Sequence, residues 1–191
     1  KLIALEPELL ITGHEQAIVG AARIKADLTK LRDAVRYIHD ETVKGMNAQQ
    51  DLVSLQASIT LPAHLQMAAG RGPVSWYVRA VWEEYAGWFR HDSTTELYPV
   101  APKAVWPELV ELAGGVDVLV TRAQQRIAKG EAVEALHLLE IARAAEPGNR
   151  GVLTAELAAF EYLADRTEGK MFDELGWLEG RIIETKKALE G

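Results

Sequence analysis

From Ala21 to Asn47 apolar residues recur at every third or fourth position. Ile24, Leu28, Leu31, Val35 and Ile38 step by four and three, and Thr42 and Met46 continue the line. This spacing predicts one long helix with a coiled-coil-like seam. Arg23, Lys25, Lys30, Arg32 and Asp33 fall on its other faces. A second periodic stretch runs from Val74 to Phe89. Trp82, Tyr85, Trp88 and Phe89 repeat at helical spacing, with Arg79, Glu83 and Glu84 between them. The pattern predicts an amphipathic helix with an aromatic face. That face needs a large partner surface, inside the domain or across a subunit boundary.

The helical period is absent at the N-terminus. The run Leu9-Leu10-Ile11-Thr12, closed by Gly13, suits a short strand. A single strand leaves its backbone groups in need of a neighbour, so its sheet is expected upstream of this sequence. A shorter helix is expected over Asp51 to Ile59, capped near Asn47 to Gln50. Pro62 marks a boundary, and the glycine-containing loop from Ala68 to Pro73 opens the aromatic helix. The proline-rich run Glu96 to Pro102 separates two halves of the chain.

The second half predicts helices over Lys103 to Ala113, Val116 to Ala128, Glu131 to Ala145, Val152 to Ala164 and Met171 to Glu190. Gly114-Gly115, Lys129-Gly130 and Glu146-Pro147-Gly148-Asn149 break them, and Asn149 reads as a turn or N-cap residue. Small Ala and large Leu followed by Glu-Pro-Gly-Asn resembles one tetratricopeptide-like hairpin with flanking helices. Such arrays stand alone with about three repeats or more, so these helices are expected to pack on the first half or on another subunit. Gly176 and Gly180, four apart, leave room for a close helix approach.

Composition narrows the function classes. The 191 residues carry a net charge of −7 with no basic stripe, which argues against a nucleic-acid binder. No apolar run has transmembrane length. The absence of cysteine removes disulfides, thiol catalysis and cysteine-based zinc sites. The compartment, cytoplasmic or periplasmic, stays open. The chain starts at Lys1 inside a short apolar segment and reads as part of a longer polypeptide.

His14 stands behind Gly13 at the tip of the expected strand, where an imidazole can project into a cleft as a metal ligand. A surface-loop histidine is the competing reading. Zinc needs about three or four protein ligands. His39, His64, His91 and His137 show neither His-x-His nor His-Glu-x-x-His spacing. The chain by itself is therefore not expected to hold a catalytic metal pair. His39 beside Asp40 invites a catalytic reading, but adjacent helical residues diverge, so a structural hydrogen bond or domain contact is expected. Arg71 and Arg79 are the cations nearest the aromatic helix. A guanidinium can grip a sulfate monoester through two hydrogen bonds, and an ordinary surface arginine is the alternative.

Several segments together carry a family resemblance. SWYVRAVWEEYAGWF resembles the signature helix of the alkyl sulfatase dimerisation domain. RYIHDETVKGMN and TLPAHL resemble the same family at matching places. ITGHEQAIVG is similar to the PGHGPPVxG segment of the metallo-β-lactamase superfamily, with Thr12 and Glu15 in place of the usual Pro and Gly. The superfamily's His-x-His-x-Asp-His motif is absent from this sequence. The loop Arg90 to Thr95 departs from the commoner Asp-Gly-Asn-Pro, and the sterol-carrier-like domain that the family often carries after its helices is not visible in the residues up to Gly191.

The resemblance implies a mainly all-α fold: a helical bundle with a tetratricopeptide-like hairpin, preceded by a short terminal strand and loop of a metallo-β-lactamase domain. Residues 1–20 would be the last strand and zinc-ligand loop of that upstream domain. Residues 21–191 would be the dimerisation domain, divided into 21–100 and 101–191. The parent protein would be a homodimeric zinc hydrolase of sulfate esters, with two zinc ions per full-length chain. His14 would be one zinc ligand, and Trp76, Tyr77 and Arg79 would line the substrate cleft. Two readings compete: a non-catalytic helical interaction module, and the same zinc fold acting on another ester or a lactam.

Overall fold

A computed structural model describes residues 1–14, 16–67, 72–89 and 93–191. The described residues form two compact units.

The first unit begins with a 3-10 turn, Leu2–Leu5, and a hairpin of β1 (Leu9–Leu10) and β2 (Ile18–Val19). The two strands are antiparallel, with Leu9 opposite Val19 and Leu10 opposite Ile18. The expected lone strand thus finds its neighbour within the chain rather than upstream. Two residues of Ile-Val are too short a run for any period to reveal. Helix α1 (Ala21–Asn47) follows, with the boundaries its periodicity predicts. Its buried face keeps Ile24, Ile38 and Thr42 of the predicted seam and departs from it in the middle. Ile24, Ala34, Ile38, Thr42 and Gly45 are buried, while Leu31 and Val35 are about half exposed. The buried Thr42 hydroxyl donates to the Ile38 carbonyl at 2.7 Å, so it carries no unpaired donor.

Helix α2 (Leu52–Ser58) starts at Asp51, just past Asn47 to Gln50. Asp51 Oδ1 accepts from the Ser54 amide at 2.9 Å, and Oδ2 accepts from the Ser54 hydroxyl at 2.6 Å. One aspartate thereby satisfies a free helix donor that a glutamine could not reach as well. Helix α3 (Val74–Ala86) is the aromatic helix, and it stops earlier than its pattern suggests. Gly87 takes φ +66°, so Trp88 and Phe89 lie beyond the helix end. Val78 and Trp82 point inward and pack with Ile38, Leu52 and Leu55. Tyr85 and Trp88 are exposed, so the inner face is narrower than expected.

The second unit is helical throughout. After a 3-10 turn, Pro102–Val105, come α4 (Trp106–Ala113), α5 (Val116–Ile127), α6 (Ala132–Ala145), α7 (Arg150–Arg166) and α8 (Phe172–Glu190). Its core joins Val116, Leu119 and Val120 of α5 to Ala135, Leu139 and Ala142 of α6 and to Val152 and Ala155 of α7. Alanine at these positions lets helix axes approach closely, which is the packing the Ala/Leu alternation predicts. Asn149 caps α7, its Oδ1 accepting from the Val152 amide at 3.1 Å. The Arg150 guanidinium donates to the Leu189 carbonyl at 2.8 Å, which ties the start of α7 to the end of α8.

Candidate functional site

His14 sits in the bend between β1 and β2. Its carbonyl accepts from the Thr12 hydroxyl, which fixes the backbone of the loop. The residue is exposed, so the imidazole is open to partners outside this chain. One histidine does not make a metal site. Among the described residues, no group of three or more His, Asp or Glu is placed to hold a metal ion. His64 lies exposed in the 3-10 turn Ala63–Leu65, and His137 stands 3.8 Å from Glu140 on α6. Glu15, Arg71 and His91 lie outside the described residues, as does half of the variant loop, Arg90 to Asp92.

Trp76, Tyr77 and Arg79 share the first two turns of α3. Val78, between them, is fully buried, and its direction turns the three others outward. Trp76 is 44% exposed and Tyr77 46%. Arg79 is also exposed, and among the described residues it enters no ion pair. All three are therefore exposed near the start of α3, with Trp76 and Arg79, three apart, on adjoining positions and Tyr77 turned about 160° away from Arg79. No hydrogen bond, ion pair or ring contact among the described residues joins them to His14.

His39 holds α1 to α3. Its Nδ1 lies 2.8 Å from Asp40 Oδ1 and its Nε2 2.7 Å from the Tyr85 hydroxyl. Asp40 accepts, so Nδ1 carries the proton in the neutral ring, and Nε2 then accepts from Tyr85. The expected structural contact is present. The neighbouring Asp40 does reach the ring, contrary to the divergence expected of adjacent helical residues.

Sequence reasoning missed Glu156 on α7, which is only 5% exposed. Arg143 on α6 reaches it at 3.4 Å. Burial pushes its carboxyl above the ordinary range, while Arg143 and Arg181 pull it back and Glu140 adds to the rise. The available signal was its phase. Glu156 lies within the period of Val152, Ala155 and Ala159, a set of inward positions.

Comparison with known proteins follows from this architecture. The family described as alkyl sulfatase dimerisation matches residues 52–175, from α2 to the first turn of α8. A linear primary-alkylsulfatase of Pseudomonas sp. (strain ATCC 19151) is 32% identical over 136 residues, covering 69% of this chain and 26% of that protein. An alkyl/aryl-sulfatase of Saccharomyces cerevisiae is 30% identical over 128 residues, covering 65% of this chain and 20% of that protein. The solved structure of a stereoselective inverting sec-alkylsulfatase from Pseudomonas sp. matches the fold with a TM-score of 0.80. It shares 24% identity, over 92% of this chain and 28% of that one. The chain spans about a quarter of the length of the curated relatives it matches.

Proposed function

The chain belongs to the alkyl sulfatase dimerisation family, and from that premise we propose that it is the dimerising portion of a longer, zinc-dependent hydrolase of sulfate esters. The match over residues 52–175 carries this reading, because it spans α3 and the bundle in their sequence order. The relatives' names, alkylsulfatase and alkyl/aryl-sulfatase, supply the substrate class. In this reading residues 1–20 belong to an upstream metallo-β-lactamase-fold domain and residues 21–191 to the helical module, and two copies associate as a homodimer.

His14 fits such a protein as one ligand of a zinc site completed elsewhere. It is a neutral-capable imidazole on a hairpin bend, open to solvent, with a fixed backbone. When bound, a zinc pair supplies a nucleophilic water of lowered pKa. This chain's contribution beyond His14 is a cleft wall. Trp76 and Tyr77 would cover the apolar part of an ester, and Arg79 would hold the sulfate oxygens through its planar fork.

The decisive measurement is zinc per chain, by elemental mass spectrometry, on protein expressed from the complete gene. About two per chain is expected. No zinc after metal supplementation would overturn the hydrolase reading. For the cleft wall, Arg79→Ala in the complete protein is expected to raise KM for a sulfate ester while the fold stays intact. Unchanged catalytic efficiency would remove Arg79 from substrate binding.

A further inference from the structure

Helix α4 has an unusual distribution of side chains. Its eight residues, WPELVELA, include five large or mid-sized apolar side chains, and none is buried. Val110 and Ala113 are only partly covered by the core of the second unit. Val105, Leu109 and Leu112 are spaced four and three apart, which sets them on one face. They are 50%, 42% and 84% exposed. The segment leading into the helix adds Leu97, Tyr98 and Val100 at 50%, 63% and 62%, and α5 adds Val118 at 47%. By contrast, α8 carries exposed Phe172, Trp177 and Ile183 but buries Leu178 and Thr185 on its other side.

We propose that the stretch from Leu97 to Val118, centred on the α4 face of Val105, Leu109 and Leu112, is the surface through which a second copy of this chain docks. The inference rests on the dimer reading above and locates it. Three observations favour a second copy as the occupant.

The first is position: the whole stretch lies within residues 52–175, the part of the chain that matches a family described by dimerisation. The second is area. These seven side chains leave on the order of 600 Å² of apolar surface open per copy, taking roughly 150 Å² for a large side chain. A stable interface buries about 800 Å² per partner, of which about 65% is apolar in homodimers, or roughly 500 Å². The open area therefore matches what one copy must contribute. The third is self-complementarity. Leu112 is the most exposed large apolar side chain of the described residues. Just past the Gly114-Gly115 turn, a shallow hollow of about 260 Å³ is lined by Asp117, Val118, Thr121, Arg122 and Gln125. Under a two-fold axis a knob and a hollow on one surface pair twice. Exposed residues of this stretch and of the hollow carry both signs of charge, Lys103 and Arg122 alongside Glu108, Glu111 and Asp117, so two copies need not repel.

Sedimentation velocity on the 191-residue chain tests this. The wild-type chain is expected to be dimeric. Leu109→Asp with Leu112→Asp is expected to weaken dimerisation by roughly 30-fold or more while helical circular dichroism is retained. Ile183→Asp, on α8, is expected to leave the dimer intact. A monomeric wild type would overturn the dimer reading itself. A dimeric wild type whose double variant also stays dimeric, or whose dimer breaks with Ile183→Asp, would overturn only this location. Should the double variant lose its fold, single cysteines decide, since the chain has none of its own. Leu112→Cys should form a covalent dimer with a short bis-maleimide and Ile183→Cys should not; the reverse pattern, or no cross-link at Leu112→Cys in a dimeric chain, overturns the proposal.

Discussion

Glu156 shows how a single side chain can set the pH response of a helical core. Its carboxylate is buried and meets Arg143 at 3.4 Å, a long contact for a charge that has left water. The folded-state pKa is raised, chiefly by burial. A raised pKa means the folded chain holds this proton more tightly than the unfolded chain does. The resulting stability is fully present below the ordinary carboxyl pKa and is lost as pH rises through the raised one. Glu156→Gln is therefore expected to remove one component of stability loss as pH rises above the ordinary carboxyl range, read as a flatter series of urea midpoints. Arg143→Ala acts the other way. It removes the charge that restrains the carboxyl, and at about pH 7 it is expected to cost about 2 kcal/mol, less than for a fully buried pair because Arg143 is one-third exposed. That cost should shrink at a pH below the ordinary carboxyl range, where the carboxyl takes up a proton; an equal cost at both would mean that the arginine stabilises by packing and not by charge.

At the scale of elements, small residues decide where helices meet. A Cβ added at Gly45 of α1 would stand 2.2 Å from Leu55 Cδ2 and 2.9 Å from Gln50 Oε1. Leu55 is 2% exposed and packed among Ile38, Leu52, Val78 and Trp82, so it has little room to yield. Gly45→Ala gains up to about 1 kcal/mol of helix propensity. Overpacking costs about 1–3 kcal/mol, so a net loss of about 1 kcal/mol is expected, and Leu55→Ala in the same chain should recover part of it. A stabilised Gly45→Ala chain would mean that α2 moves freely against α1. Asn149→Ala, which removes the α7 cap, is expected to cost about 1 kcal/mol, a fall of about 2–4 °C in Tm. These elements also show what the sequence can disclose. Large apolar residues at helical spacing revealed α1 and most of the second unit. On α1 they placed Leu31 and Val35 inside and missed Ala34 and Gly45, which admit a neighbour through lack of bulk, something that a count of large side chains does not register. The β1–β2 pairing escaped for a different reason: a two-residue strand has no period. The early end of α3 followed from Gly87 adopting positive φ in the middle of an aromatic run.

For the whole molecule, the candidate site rests on one histidine. A single Gly-His step and the absence of His-x-His spacing imply that any metal pair draws on residues outside this chain. Trp76, Tyr77 and Arg79 were singled out through the family resemblance of the aromatic helix, and the structure leaves all three exposed on its first two turns. Their relation to His14 was not legible, because no period connects a hairpin bend with a helix about sixty residues later. The proposed division of labour has a direct consequence. A lone imidazole binds zinc weakly, since affinity grows with the number of ligands that a fold holds in place. The 191-residue chain is therefore expected to retain well under one zinc per chain after dialysis, and His14→Ala should not change that value. In the complete protein the same substitution should lower zinc content measurably and reduce sulfate-ester hydrolysis by a factor of about ten or more, while dimerisation measured by sedimentation stays as it was. Zinc content and hydrolysis both unaffected by His14→Ala in the complete protein would show that the hairpin bend is a surface loop, and the metal would then have to be held without any ligand from this chain.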